Sequence, residues 1–315
     1  MMPERQSSRR EFMAAAACGS ASAAMAATAP EGTRMANPPF GYCLNTATIM
    51  GQKLGIVEEV NIASRAGYQG IEPWIRELDQ YVKDGHSLHD LRKRIADAGL
   101  SVESAIDFTE WIVDDAAQRQ KGLENAKHAM DMLQQISGKR LAAPPAGARD
   151  QTTLHLQQAA LRYRTLLELG DKMGIVPVLE FWGPSKSLSR LGQAAMVAID
   201  ANHPKACVLA DVFHLYKGGS DFQGLSLLRG QAIGIFHMND YPGEPSRELI
   251  TDAARVYPGD GVAPLGALFR ELRTIGYTGM LSLEVFNRTY WQQDAFQVAK
   301  TGLEKMRLAV EKALA

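Results

Sequence analysis

"GMLSLEVFN" (residues 279–287) and "GIVPVLEFWG" (residues 174–183) share one pattern: a short apolar run that closes on a carboxylate. Leu281, Leu283, Val285 and Phe286 have the composition of a strand entering a core, and Glu284 stands near its end. Glu180 holds the same place in the earlier run. A buried ionised carboxylate is costly unless it is paired or binds a metal. Two such strand ends therefore call for a shared cation.

The same rhythm extends over most of the chain. Strand-like runs are read at Gly41–Asn45, Gly70–Trp74, Ser101–Ile106, Lys139–Ala142, Ile175–Glu180, Cys207–Asp211, Ile233–Met238 and Met280–Val285. Helix-like stretches alternate with them, among them Leu54–Ala66, Leu88–Ala98, Ala116–Gln135, Thr152–Met173, Ser187–Ile199, Pro264–Thr274 and Asp294–Leu314. "DAGLSVE", "KMGIVPV" and "TIGYTGML" place a glycine at a helix end just before a strand, and Ser87 suits a helix N-cap. Strands alternating with helices argue for a parallel sheet, and eight is the closing number of a (β/α)8 barrel. A doubly wound open sheet is the alternative. Its dinucleotide-binding form lacks support, since no G-x-G-x-x-G follows the first strand.

The 315 residues are 46% hydrophobic and 22% charged, with a formal net charge of −1, which suits a globular enzyme-sized core and argues against a nucleic-acid surface. The N-terminus reads differently. "SSRREFMAAAACGSASAAMAATAP" pairs Arg9 and Arg10 with an Ala-rich stretch and resembles a twin-arginine export signal. The expected organisation is a signal over 1–29, a linker over 30–37 and a single barrel over 38–315, with export to the periplasm through the twin-arginine machinery. A lipid anchor at Cys18 is the alternative. Cys43 and Cys207 lack metal-site spacing and read as small buried side chains.

In such a barrel function gathers at the C-terminal ends of the strands. Glu180 ends the fifth strand, Asp211 the sixth, His237 lies near the end of the seventh and Glu284 of the eighth. Three carboxylates and an imidazole on one rim repel one another without a cation, and together they suit a hard-to-borderline divalent ion. A lone Glu at a strand end is ordinarily a cap or half of a salt bridge; four in consecutive units are not so explained. His86, His89, His128, His155 and His203 fall in helices or loops and carry no assignment. His214, three residues after Asp211, is a substrate-binding candidate. Trp74 and Trp182 sit at strand ends, where they suit an apolar wall for a sugar's C–H face, or rim packing.

"YCLNTATI", "HSLHDLRKRIADAGL", "LEFWG", "DVFHLY", "FHMND", "RVYPGDG" and "SLEVFNRTYW" resemble the xylose-isomerase-like TIM barrels of the sugar phosphate isomerase and epimerase group, most nearly its inosose isomerase branch. The resemblance covers about residues 40–310. It implies one divalent ion held by Glu180, Asp211, His237 and Glu284, with Glu180 and Glu284 as the acid–base pair. It also implies that Arg255 contacts a substrate oxygen and that His214 is the histidine of the family's D-x-x-H. Mn2+ is the expected ion, with Zn2+, Co2+ or Mg2+ as alternatives. Tyr216 and Lys217 after His214, and the export signal, depart from the inosose enzymes.

These residues support removal of a proton next to a carbonyl and stabilisation of the resulting enediolate. The expected substrate is a keto-sugar or keto-cyclitol, inosose-like, and the expected reaction isomerisation or epimerisation. The alternatives are elimination at the same site, by an inosose dehydratase or 3-keto-glycoside lyase, and a non-catalytic periplasmic sugar-binding protein. A homo-oligomer is compatible with all of these, and no nucleic-acid partner is expected.

Overall fold

The computed structural model describes residues 39–315 apart from Thr153. The export signal, the linker and Cys18 lie outside the described residues. The strands are β1 (Gly41–Asn45), β2 (Gly70–Glu72), β3 (Ser101–Val102), β4 (Arg140–Ala143), β5 (Val176–Glu180), β6 (Val208–Asp211), β7 (Ile233–Met238) and β8 (Met280–Leu283). They pair in parallel in the order β3-β2-β1-β8-β7-β6-β5-β4. The ring closes just past the short β3. Ala105 donates its amide to Arg140 O at 3.1 Å and accepts from Ala142 N at 2.9 Å. The fold is thus the (β/α)8 barrel, not the doubly wound sheet.

The helices are α1 (Ile56–Ala66), α2 (Ile75–Lys83), α3 (Leu88–Asp97), α4 (Ala116–Gln135), α5 (Leu156–Met173), α6 (Leu191–Asp200), α7 (Val212–Gly218), α8 (Leu265–Thr274) and α9 (Ala295–Leu314). Glycines 99, 174 and 276 take positive φ where α3, α5 and α8 give way to strands, as the sequence pattern implies. Ser87 caps α3, its hydroxyl facing Asp90 N at 3.4 Å. Two helices were not expected. In α2, Ile75 and Leu78 are buried and Tyr81 packs against the core, so the helical apolar spacing is present in the sequence but spans only nine residues. In α7 the cap is Asp211 itself, whose carboxylate accepts from His214 N at 2.7 Å. β2, β3 and β8 stop short of Trp74, Ile106 and Val285. Beyond them the chain turns across the rim, and Trp74 and Ile106 meet only in an isolated bridge.

Side chains alternate across each strand, and this sorts the interior. Val178, Cys207, Leu209, Ile235 and Ala142 form a small apolar cluster inside the ring. The larger core lies between strands and helices, where Leu179, Ala210, Phe236 and Leu283 meet residues such as Leu166, Phe269 and Leu303. Two residues on from the interior side chains Val178, Leu209 and Ile235 stand Glu180, Asp211 and His237, so the period that fills the barrel also aims these groups inward. Cys43 and Cys207 are free and buried, as expected.

A further buried acid lies on a helix, outside this group. Glu59 of α1 is 3% exposed, and its Oε2 has no hydrogen-bond partner among the described residues. Burial, with Glu77 nearby, pushes its carboxyl up to about 9. Glu77 itself accepts from Thr46 Oγ1 at 2.8 Å and Trp74 N at 3.0 Å, fixing the start of α2. The folded protein therefore keeps a proton on Glu59 that the unfolded chain releases near its ordinary value of about 4.3. The contribution to stability is complete below that value and is lost as pH rises toward about 9. Glu59→Gln is expected to flatten the fall in Tm between about pH 5 and pH 9, raising Tm by a few degrees at the alkaline end. Thermal unfolding of both proteins across that range checks this; equal slopes would place the retained proton elsewhere.

Candidate active site

The site is built from strand ends inward. In β6 and β7, Asp211 and His237 are register partners, so their side chains emerge side by side. Glu284 follows β8, its amide bonded to Met238 O at 3.0 Å. One ligand atom from each of Asp211, His237 and Glu284 lies within 4.8 Å of the others, and all three residues are buried. His237 Nδ1 is 3.2 Å from Glu284 Oε2 and 3.9 Å from Asp211 Oδ2, while Nε2 is 3.0 Å from Glu72 Oε2. Neither ring nitrogen makes a hydrogen bond of good geometry.

This donor set fits a divalent ion. Two carboxylates and one imidazole nitrogen converge from three neighbouring strands, and the outer ring nitrogen faces a carboxylate. A carboxylate behind a metal-binding histidine fixes its tautomer and raises its basicity. Burial opposes a charged imidazole, but Glu72 and Glu284 outweigh it and hold His237 well above its ordinary value. Burial likewise would raise Glu72 and Glu284, yet His237 brings both below the usual carboxylate range, helped by Ser282 at Glu72 and by Arg255 at Glu284.

Arg255 is fully buried and stays charged. Its Nη1 donates to Asp211 Oδ2 and Glu284 Oε2, each at 2.9 Å, and Nη2 donates to Asp252 Oδ1 at 2.6 Å. Its guanidinium also packs over Phe213 and Phe286. The residue expected to contact substrate thus also ties three acids together. Its loop, "RVYPGDG", is drawn tight by Asp240, which accepts from the amides of Gly259, Gly261 and Ala263 at 2.9, 3.1 and 2.9 Å. A Cβ at Gly261 would lie 2.2 Å from Tyr241 O, so only glycine allows this approach.

Glu180 stands beside the group of three rather than within it. The β5–β6 register pairs Glu180 with Leu209, not with Asp211. Burial pushes its carboxyl up to about 8 against the pull of His237, with Glu284 and Asp211 adding to the rise. His214 Nε2 lies 3.8 Å from Glu180 Oε1. The His214 ring accepts from Gly183 N at 3.3 Å through Nδ1, and its Nε2 also lies 3.4 Å from Arg255 Nη2. Burial keeps this ring neutral, and Arg255 adds to that.

Over these groups lies a cavity of about 310 Å³. Trp74 and Trp182 both line it, joined by Phe108 and Phe286. Trp74 meets Phe108 edge-on at 5.2 Å and Phe286 at 6.2 Å, and Phe108 meets Trp182 at 5.7 Å. Trp74 Nε1 donates to Asn45 Oδ1 at 3.1 Å, which pins this wall to β1. Glu180, His214, Arg255 and Glu284 supply its polar side, with Arg149 and Asp252 also lining it. Tyr216 and Lys217 face elsewhere: Tyr216 stacks on Tyr241, and Lys217 Nζ donates to Arg247 O and Glu248 O.

Sequence reasoning missed Glu72, Asn45 and Ser282. Asn45 donates to Glu72 Oε2 at 3.0 Å and Glu284 Oε1 at 3.2 Å, and Ser282 donates to Glu72 Oε2 at 2.6 Å. The signal was present, since "YCLN" and "GIE" also end apolar strands in polar groups. Asn239, which donates to Asp211 Oδ2 at 2.9 Å, lies with Phe108, Phe286 and Arg149 in loops, and Asp252 opens a single 3-10 turn, where no periodicity marks them.

The sequence profile described as "Xylose isomerase-like TIM barrel" matches residues 60–309. The chain belongs to this family. The barrel is 26% identical over 279 residues to an inosose isomerase of Bacillus velezensis, covering 86% of this chain and 97% of that one. It is 24% identical to a 3-dehydroshikimate dehydratase of Pseudomonas putida, covering 79% of this chain and 39% of that one. Among solved structures, the IOLI protein with a bound zinc atom superposes with a TM-score of 0.80 at 23% identity, covering 88% of this chain and all of that one.

Glu72→Gln keeps the shape of the contact behind His237 but removes its charge. It is expected to lower divalent-metal affinity by about ten- to a hundredfold, read by chelator-competition titration of the purified protein. Unchanged affinity would mean that His237 needs no such partner.

Proposed function

We propose that this barrel is a divalent-metal-dependent isomerase or epimerase of a keto-sugar or keto-cyclitol, inosose-like, working by proton transfer next to a carbonyl. The observation that carries the reading is that two buried carboxyls, Glu180 and Glu284, reach one aromatic-walled cavity from β5 and from the end of β8. A divalent ion held by Asp211, His237 and Glu284, with Mn2+ proposed and Zn2+ the alternative, would supply Lewis acidity at a carbonyl oxygen and its neighbouring hydroxyl.

The chain's own residues divide the remaining work. The aromatic wall takes the C–H face of the substrate and excludes water. Glu284, held ionised beside His237 and Arg255, takes the proton from the carbon next to the carbonyl. Glu180, driven toward its protonated form by burial, returns a proton from the other side. Return to the same carbon inverts it, and return to the adjacent carbon moves the ketone. Arg255 keeps Asp211 and Glu284 from repelling each other as charge shifts.

Elimination is the second reading. It is favoured by Glu180, a protonated acid able to donate to a departing β-hydroxyl so that water leaves, and by the likeness to a dehydratase. The proposed location of the exported protein is the periplasm, on the strength of the N-terminal pattern alone.

Metal-loaded protein in deuterated water is expected to exchange the α-proton of inososes or ketohexoses, followed by NMR, and a chelator is expected to abolish the exchange. Glu284→Gln is expected to lower the exchange rate by about 10²–10⁴-fold while retaining substantial metal. Normal exchange by this variant would show that the base is elsewhere. Ketone migration, inversion and loss of water give different products in the same spectra and separate the two readings.

A further inference from the structure

We propose that the substrate carries a carboxylate at the end remote from its reacting carbonyl, and that Arg149 receives it. The inference rests on reading the aromatic-walled cavity as the substrate site. Apart from Arg255, Arg149 is the one basic side chain lining that cavity. Arg255 is already neutralised by Asp211, Glu284 and Asp252. Among the described residues, the Arg149 guanidinium has neither a hydrogen bond nor an ion pair. Structural arginines nearby differ. Arg162 donates to Ile112 O and Asp114 Oδ1, and Arg119 to the carbonyls of Val113 and Asp114.

The backbone beneath Arg149 is nevertheless fixed. Its carbonyl accepts from Lys186 N at 2.7 Å and from Ser185 Oγ at 3.2 Å. The preceding Ala148 is buried, and its carbonyl accepts from Ser187 Oγ at 2.8 Å. The loop after β4 is thus stitched to the loop after β5, which carries Trp182. An exposed arginine rooted in this way is held at the cavity mouth without a protein partner.

Charge and direction then select the ligand. The floor of the cavity is acidic, with Glu180, Asp211 and Glu284 close together. An anionic substituent must point away from Asp211 and Glu284, whose strands β6 and β8 are not neighbours of β4. In the ring order β4 lies four strands from β8, directly across the barrel from the strand that Glu284 follows. A hydroxyketone edge at Glu284 therefore directs the far end of a molecule lying along the aromatic wall toward Arg149. A cavity of about 310 Å³ suits one small polyhydroxy ring or its open-chain equivalent. A planar guanidinium matches a carboxylate with two parallel hydrogen bonds.

The test uses the metal-loaded full-length protein and two probes: a six-membered cyclic α-hydroxyketone bearing a ring carboxylate, and the same ring ending in hydroxymethyl. Dissociation constants come from calorimetry, and α-proton exchange is followed in parallel. Wild type is expected to bind the acid more tightly. Arg149→Met is expected to cut that preference by about tenfold or more, Arg149→Glu to cut it further, and Arg149→Lys to restore part of it. The loss should appear in KM and Kd rather than in kcat. Equal or better binding of the neutral ring by wild type, binding of neither probe, or a preference unchanged in Arg149→Met and Arg149→Glu would each overturn the proposal. Arg149-dependent binding of the acid without proton exchange on either ring would support this inference while contradicting the proposed reaction.

Discussion

The structure turns on one electrostatic balance. Asp211, Glu284 and Glu72 are acids buried at the top of a closed barrel, where ionised groups survive only in the company of opposite charge. His237 lies between Glu72 and Glu284, and Arg255 lies between Asp211 and Glu284. His237 serves two acids and Arg255 three, counting Asp252, and Glu72, Asp211 and Glu284 are reached from different strands. Removing one partner would leave a buried charge uncompensated. The barrel must therefore bring β2, β6, β7 and β8 into a fixed register for any of these groups to be tolerated, so the demands of the site and of the fold coincide.

The same balance explains the division between the two glutamates. His237 and Arg255 hold Glu284 below the usual carboxylate range, whereas burial pushes Glu180 up to about 8 against the pull of His237. On the proposed mechanism, their surroundings prepare two carboxyls of one type for opposite duties, a recurring device for running acid and base chemistry in one pocket. The aromatic wall completes the arrangement, since Phe108 is 45% exposed yet packed between Trp74 and Trp182. A large apolar ring left open over a polar floor is costly to keep unless something covers it.

Much of this was legible in the sequence, and for a physical reason. Strands of period two place residues 178, 209 and 235 and residues 180, 211 and 237 on one face, so apolar strands ending in Glu180, Asp211 and His237 reveal both barrel and site. Glu284 is read in the same way after β8. Glu72 follows the identical rule in "GIE", but its strand is three residues long and the pattern is brief. The β5–β6 register, which pairs Glu180 with Leu209, is encoded in no single strand's sequence. Arg149, Phe108 and Phe286 act from loops whose course is set by hydrogen bonds between distant segments, such as Lys186 N to Arg149 O. Helix α7 was hidden because its cap, Asp211, was already assigned as the end of a strand.

The central claim is that Asp211, His237 and Glu284 share one divalent cation at the floor of the cavity. Anomalous diffraction at the manganese edge, from crystals of the full-length protein grown with Mn2+, measures this directly. The account predicts a single strong peak within coordination distance of Asp211, His237 Nδ1 and Glu284, with His237 Nε2 still facing Glu72. A peak elsewhere, or none at a concentration that supports activity, would contradict it.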